Sequence, residues 1–203
     1  VARVLSGAGH KFTALEISPE QVDFIRKWGN KVFYGDASRL DLLKAAHAEE
    51  ASAFVLAVDD VQASVRIAQV VKKNFPSLPV YARARNRQHA YALWDVGVTV
   101  LNRETFFSAL KMAEEVLVGL GDEREDAVEI VDNFRRIDEE ILQRQHAAGH
   151  GDEQTLRQTS VQIRAELEQI LEAEAAKLQA KRDARRATKH DGAATPPPAT
   201  PAG

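Results

Sequence analysis

The chain of 203 residues contains no cysteine. That excludes a disulfide framework, a thiol nucleophile and thiolate metal ligation, and it suits a reducing compartment. Also absent is any surplus of basic charge: the formal net charge is -3, so nothing draws the chain as a whole toward nucleic acid. No apolar run approaches the roughly 18 residues needed to span a bilayer, and no signal peptide precedes the first strand, which predicts a soluble chain. The usual catalytic signatures are missing as well. There is no Gly-x-Ser-x-Gly elbow and no Tyr-x-x-x-Lys pair, and the one His-x-x-x-His spacing, His146 with His150, runs through Gly149. His47, His89, His146 and His150 stand without an acid at ligand spacing, so neither a catalytic residue nor a metal site is expected.

What the sequence does contain is an alternation of short apolar strands and helices up to about residue 120. Strands are predicted at Phe12–Ile17, Lys31–Tyr34, Ala53–Val58, Val80–Ala84 and Val98–Leu101, with helices at Leu40–Ala46, Val61–Phe75 and Arg87–Asp95 between them. The helix that starts at Ser18-Pro19-Glu20-Gln21, with a Ser cap and Pro in its first turn, carries Val22, Ile25 and Trp28 on one face. Strands separated by helices of this length form a parallel, doubly wound sheet with right-handed crossovers.

Such a sheet binds ligands where strand carboxyl ends meet helix amino ends. Four polar strand ends fall on that rim: Glu16; Gly35-Asp36-Ala37-Ser38; Val58-Asp59-Asp60; and Arg83-Ala84-Arg85-Asn86, with His89 one turn further on. Each has two readings. Glu16 is a ribose acceptor or an exposed strand-end acid; Asp36 or Ser38, Asp60 and Asn86 are ligand contacts or helix caps; Arg83 and Arg85 hold a carboxylate or form salt bridges. In a dinucleotide-binding unit, an acid like Glu16 lies roughly 20 residues after a Gly-rich phosphate loop. Counting back from Glu16 passes Val1, and "VARVLSGAGH" reads as the back half of the helix after that loop. The expected fold is therefore a Rossmann-like sheet lacking its first strand and Gly-rich loop, with a gap or an exposed strand edge in their place.

Beyond Gly121 the composition turns polar and charge-dense, with Leu156, Ile163, Leu167, Ile170, Leu171 and Leu178 at helical spacing. These are amphipathic helices. A basic cluster at Lys177, Lys181, Arg182, Arg185, Arg186 and Lys189 answers either the helix dipole or an anionic lipid surface. The last stretch, "DGAATPPPATPAG", is a disordered tail by composition. The predicted organisation is a truncated Rossmann-like domain over 1–120, a helical extension over 121–190 and a tail over 191–203.

In order along the chain, "KVFYGDASRLDLL", "AVDD", "YARARNRQHAYAL", "NRETFFSALKMAEEVL" and "DNFRRIDEEIL" resemble the cytoplasmic nucleotide-binding (KTN or RCK) domain of the glutathione-gated potassium-efflux antiporters, the Kef family, from about Val1 to about residue 145. The resemblance implies a regulatory module on the cytoplasmic face of a bacterial inner membrane, beneath a potassium/proton antiporter. AMP or NAD(H) would occupy the pocket, with Glu16 on the ribose, Asp36, Ala37 and Ser38 on the adenosine side, and Asp59 and Asp60 on the opposite wall. Glutathione or its adducts would meet Arg83, Arg85, Asn86 and His89. Implied partners are a second copy, through a crossover helix at 103–120 whose plainer role is to cover the domain's own sheet, the membrane domain, and an ancillary oxidoreductase. A fragment of an NAD(P)-dependent reductase or epimerase, or a gating domain of a potassium channel or uptake system, is the alternative.

Overall fold

A computed structural model describes residues 1–27, 29, 31–149 and, further on, 161, 165, 168, 169, 172, 173, 175–177, 179–181, 183 and 184. The apolar stripe from Leu156 to Leu178, Trp28, most of the basic cluster and the tail lie outside the described residues. The chain divides into two compact units, Val1–Phe107 and Ser108–Gly203.

The first unit alternates strand and helix as its sequence predicts. It runs α1 (Ala2–Gly7), β1 (Thr13–Glu16), α2 (Pro19–Lys27), β2 (Lys31–Tyr34), α3 (Leu40–Ala45), a 3-10 turn at Ala48–Glu50, β3 (Phe54–Leu56), α4 (Val61–Asn74), β4 (Val80–Ala84), α5 (Arg87–Asp95) and β5 (Val100–Arg103). All pairings are parallel, but they form two sheets: β1–β2, and β3–β4–β5. The break between β1 and β3 falls where a doubly wound sheet places its first strand. Among the described residues β1 pairs with no strand but β2, and β3 with none but β4.

The core lies against β3–β5. On α4, Ser64, Ile67, Ala68 and Val71 recur at the spacing that puts them on one buried face. They pack with Leu43, Leu56, Leu93 and Val98, which are at most 2% exposed. Each such side chain contributes about 1.5–3 kcal/mol on leaving water. Val98 belongs to the turn before β5, its N–H bonding to Leu93 O at 3.0 Å. The last strand is consequently displaced from the predicted 98–101 to 100–103, and it delays the next helix, α6 (Phe106–Gly119), beyond the predicted Arg103.

In the second unit α7 (Arg124–Ala148) buries Ala127, Ile137, Ile141 and Leu142. Arg124 closes the turn from α6 onto Glu114 at 3.0 Å and Glu115 at 3.4 Å. Lys181, a helical residue of the basic cluster, pairs with Glu129 of α7 at 2.6 Å. No described helix is long and apolar enough to cross a membrane.

Candidate functional site

The parallel register brings the strand-end residues together in two groups. Glu16 pairs with Tyr34, and the N–H of Gly35 donates to the Glu16 carbonyl at 2.9 Å, so the first two corners are side by side. Gly35 has a φ of 145°, and a Cβ there would lie 3.0 Å from Leu42 Cδ2. Only glycine lets the chain leave β2 this close to α3. The corner borders a cavity of about 270 Å³, lined by Tyr34, Gly35, Asp36, Arg39, Asp41 and Leu42 with Ala45. Ala37 turns inward against the core.

Both acids in this group are held by their own turns. Glu16 Oε1 accepts the N–H of Ile17 and of Ser18, each at 2.8 Å. Asp36 Oδ1 accepts the Ser38 N–H and Oδ2 accepts the Ser38 hydroxyl, again at 2.8 Å. These two bonds hold the exposed Asp36 carboxyl below its ordinary range, with smaller help from Arg66 on α4 and from Arg39. Arg39 is itself paired with Asp41 at 2.6 Å.

The second group gathers the carboxyl ends of β3, β4 and β5. Asp60 caps α4 by accepting the Ala63 N–H at 2.6 Å, and Asn86 caps α5 by accepting the His89 N–H at 2.9 Å. Arg83 reaches both ways across the sheet. Its Nη2 donates to the Ala57 carbonyl at 2.9 Å and to Asp59 Oδ1, while Nη1 donates to Glu104 Oε1 at 3.1 Å. Arg85 is more open, its side chain making one long contact of 3.5 Å to the Asp59 carbonyl. His89 is 1% exposed; its Nδ1 accepts the Arg85 N–H at 3.1 Å, and Nε2 has no partner among the described residues. Burial pushes the His89 pKa down, so the ring is neutral at pH 7.

The structure shows the plainer reading at several of these positions. Asp60 and Asn86 are caps, Arg83 forms salt bridges, and yet Glu16 Oε2, Asp59 Oδ2 and Asp60 Oδ2 remain without protein partners among the described residues. Three acceptor oxygens on one rim suit a ligand that presents hydroxyl or amino donors, such as ribose or adenine. Of the four residues expected to meet a carboxylate, only Arg85 keeps its cationic head largely uncommitted. Sequence reasoning missed Glu104, which it saw only inside "NRETFF", and missed Tyr34, Arg39 and Asp41 as cavity walls. The sole local hint was the Arg39/Asp41 spacing.

Comparison with known proteins places the chain in a family. The TrkA-N domain family matches residues 1–103, and the potassium efflux system KefB C-terminal domain matches residues 108–190. The chain is 40% identical over 150 residues to the glutathione-regulated potassium-efflux system protein KefC of Salmonella arizonae, covering 74% of this chain and 24% of that protein. It thus spans about a quarter of the length of the curated relatives it matches. Among solved structures, the Kef C-terminal domain of Shewanella denitrificans in its AMP-bound form is 40% identical, with a TM-score of 0.66 over 72% of this chain and 89% of that one. The TrkA-N domain of the Escherichia coli inner membrane protein YbaL, 20% identical with a TM-score of 0.53 over 56% of this chain and 84% of that one, shares the fold. These relatives are named for potassium efflux or the membrane, not for catalysis, and they match both units: the chain belongs to the TrkA-N domain family, in its Kef potassium-efflux branch.

Proposed function

We propose that the chain is the ligand-sensing regulatory domain of a glutathione-regulated potassium/proton antiporter, which binds an adenine nucleotide on the strand-end rim and controls potassium efflux. The observation that carries the nucleotide is the set of unpartnered carboxylate oxygens on Glu16, Asp59 and Asp60, beside a cavity at the Gly35–Asp36 corner. AMP fits this rim: its ribose hydroxyls and adenine amine can donate to the free carboxylate oxygens of Glu16, Asp59 and Asp60. The structural relative at 40% identity is named for its AMP-bound form, which supports the same reading. NAD(H) presents the same adenosine half and is the second candidate.

The regulatory anion is glutathione or an adduct of it, in keeping with the name of the potassium-efflux relatives. Its carboxylates find a donor in Arg85, with Asn86 beside it at the amino end of α5; His89, expected from the sequence to meet the same anion, is buried beneath them. The domain works as a pair, since Met112 and Val116 on α6 and Leu120 just beyond it are exposed four residues apart. The membrane antiporter that the domain regulates, at the cytoplasmic face of the inner membrane, is carried by the rest of a longer protein.

The test is calorimetric titration of AMP, NADH and glutathione into the full-length antiporter. Glu16→Gln is expected to weaken AMP by about tenfold through the loss of a charged acceptor, leaving glutathione binding unchanged. Arg85→Ala is expected to do the reverse. AMP affinity unaffected by Glu16→Gln, Asp59→Asn and Asp60→Asn alike overturns the nucleotide assignment.

A further inference from the structure

We infer that Arg83 is a positioning residue that fixes the charge of the ligand rim through Asp59 and Glu104, and that it does not itself touch the ligand. The inference rests on the nucleotide reading above and adds a determinant of which nucleotides the rim accepts.

Arg83 lies on the middle strand of the β3–β4–β5 sheet, and its guanidinium extends along the carboxyl ends of both neighbours. On one side it binds the Ala57 carbonyl and the Asp59 carboxylate; on the other it binds Glu104, whose own N–H continues the β4–β5 ladder onto the Ala84 carbonyl at 2.8 Å. Its Nε is buried with no partner. The inner edge of the guanidinium is thus closed to any ligand, and both terminal nitrogens already have acceptors. Because the side chain is only 33% exposed while that of Asp59 is 80% exposed, what faces an incoming molecule is the neutralised acid and not the cation.

The consequence is electrostatic. Asp59 and Glu104 place two carboxylates on one guanidinium, and Asp60 follows Asp59 in the chain. A nucleotide monophosphate brings further negative charge to the same rim. Arg83 offsets the acid nearest the β3 corner, so the rim can use Asp59 Oδ2 as a hydroxyl acceptor without repelling the phosphate. Without the guanidinium, Asp59 would still accept from a neutral nucleoside and would oppose an anionic one. Glu104 draws on the same cation, and removing its charge leaves Arg83 more fully available to Asp59.

Two measurements test this. In equilibrium unfolding of the present chain, double-mutant cycles pairing Arg83→Gln with Asp59→Asn and with Glu104→Gln are expected to show coupling of about threefold in the unfolding constant for each pair. Coupling absent from both cycles overturns the inference whatever the ligand proves to be. In the full-length protein, Arg83→Gln is expected to weaken AMP about fivefold, as an uncompensated partly exposed charge does, and to leave adenosine binding unchanged. Asp59→Asn in the Arg83→Gln background brings AMP back to the affinity of Asp59→Asn alone, and Glu104→Gln alone tightens it. Equal losses for AMP and adenosine indicate a merely structural role; a double variant as weak as Arg83→Gln indicates direct contact with the ligand; either result overturns the inference. If the unsubstituted full-length protein binds neither nucleotide, the nucleotide reading fails, while the cycles still decide whether Arg83 holds its two acids.

Discussion

Asp60 Oδ1 accepts the Ala63 N–H at 2.6 Å, so the side chain that closes the amino end of α4 is one of those proposed to meet the ligand. The two roles separate by substitution. Asp60→Ala removes the cap and is expected to cost about 0.5–2 kcal/mol in urea unfolding, whereas Asp60→Asn keeps a good cap and leaves stability nearly unchanged. A ligand role predicts that both variants weaken AMP. Affinity that falls only with Asp60→Ala leaves capping as the sole function of the residue.

Asp36 and Ser38 give a pH prediction. The Asp36 carboxyl is held below its ordinary 3.8 by the Ser38 N–H and hydroxyl. Since the folded pKa is the lower one, this contribution to stability is complete above about pH 4 and is lost as pH falls through the folded value. Ser38→Ala removes the hydroxyl bond and keeps the N–H bond. The Asp36 carboxyl resonance in an NMR titration should therefore move part of the way back up toward 3.8; an unmoved midpoint would show that the hydroxyl contributes nothing.

His89 acts in the opposite pH range. Burial holds the imidazole below its ordinary 6.5, so the unfolded chain takes up a proton before the folded one does. Stability from the neutral ring is complete above that pH and is lost as pH falls from 6.5 toward the folded value. Protonation of Nδ1 would also break the bond it accepts from the Arg85 N–H. Urea unfolding at neutral pH and near pH 5.5 should show a larger loss for the natural chain than for His89→Gln. Equal losses would assign the pH dependence to other groups.

The exposed face of α6 predicts self-association. Met112, Val116 and Leu120 are 69%, 54% and 79% exposed, while Leu110 on another face is 8% exposed. A lysine at position 116 would put a charge in the middle of that stripe. Val116→Lys is expected to convert a dimer to a monomer in sedimentation equilibrium and to leave the unfolding midpoint within about 0.5 kcal/mol, as for most surface changes. A natural chain that sediments as a monomer in the full-length context rejects the paired arrangement.

Much of the fold was legible because burial on one side of each element leaves a period. The alternation of strand and helix, the Ser64–Val71 face of α4 and the caps at Asp60 and Asn86 all have local signatures. Boundaries that depend on a neighbouring strand were not legible. Pairing of Tyr81 with Val100 sets where β5 starts, and therefore where α6 can begin. The site was readable in the same partial way. Strand-end acids announce themselves, but Arg83 and Glu104 are 21 positions apart, and no spacing rule connects residues joined only through the sheet. The same limit applied to Arg83 and Asp59.

The division of the parallel strands into β1–β2 and β3–β4–β5 bears on how the domain breathes. A two-stranded ribbon is marginal by itself, and among the described residues β1 and β2 pair as strands only with each other, while the main cluster of buried side chains lies on the three-stranded side. In hydrogen exchange the amides of Thr13–Glu16 and Lys31–Tyr34 should open with a smaller free energy than those of Val80–Ala84. A ligand that spans Glu16 and Asp59 would staple the looser foldon to the firmer one. Occupancy of the rim would then be felt first as lost motion in β1 and β2.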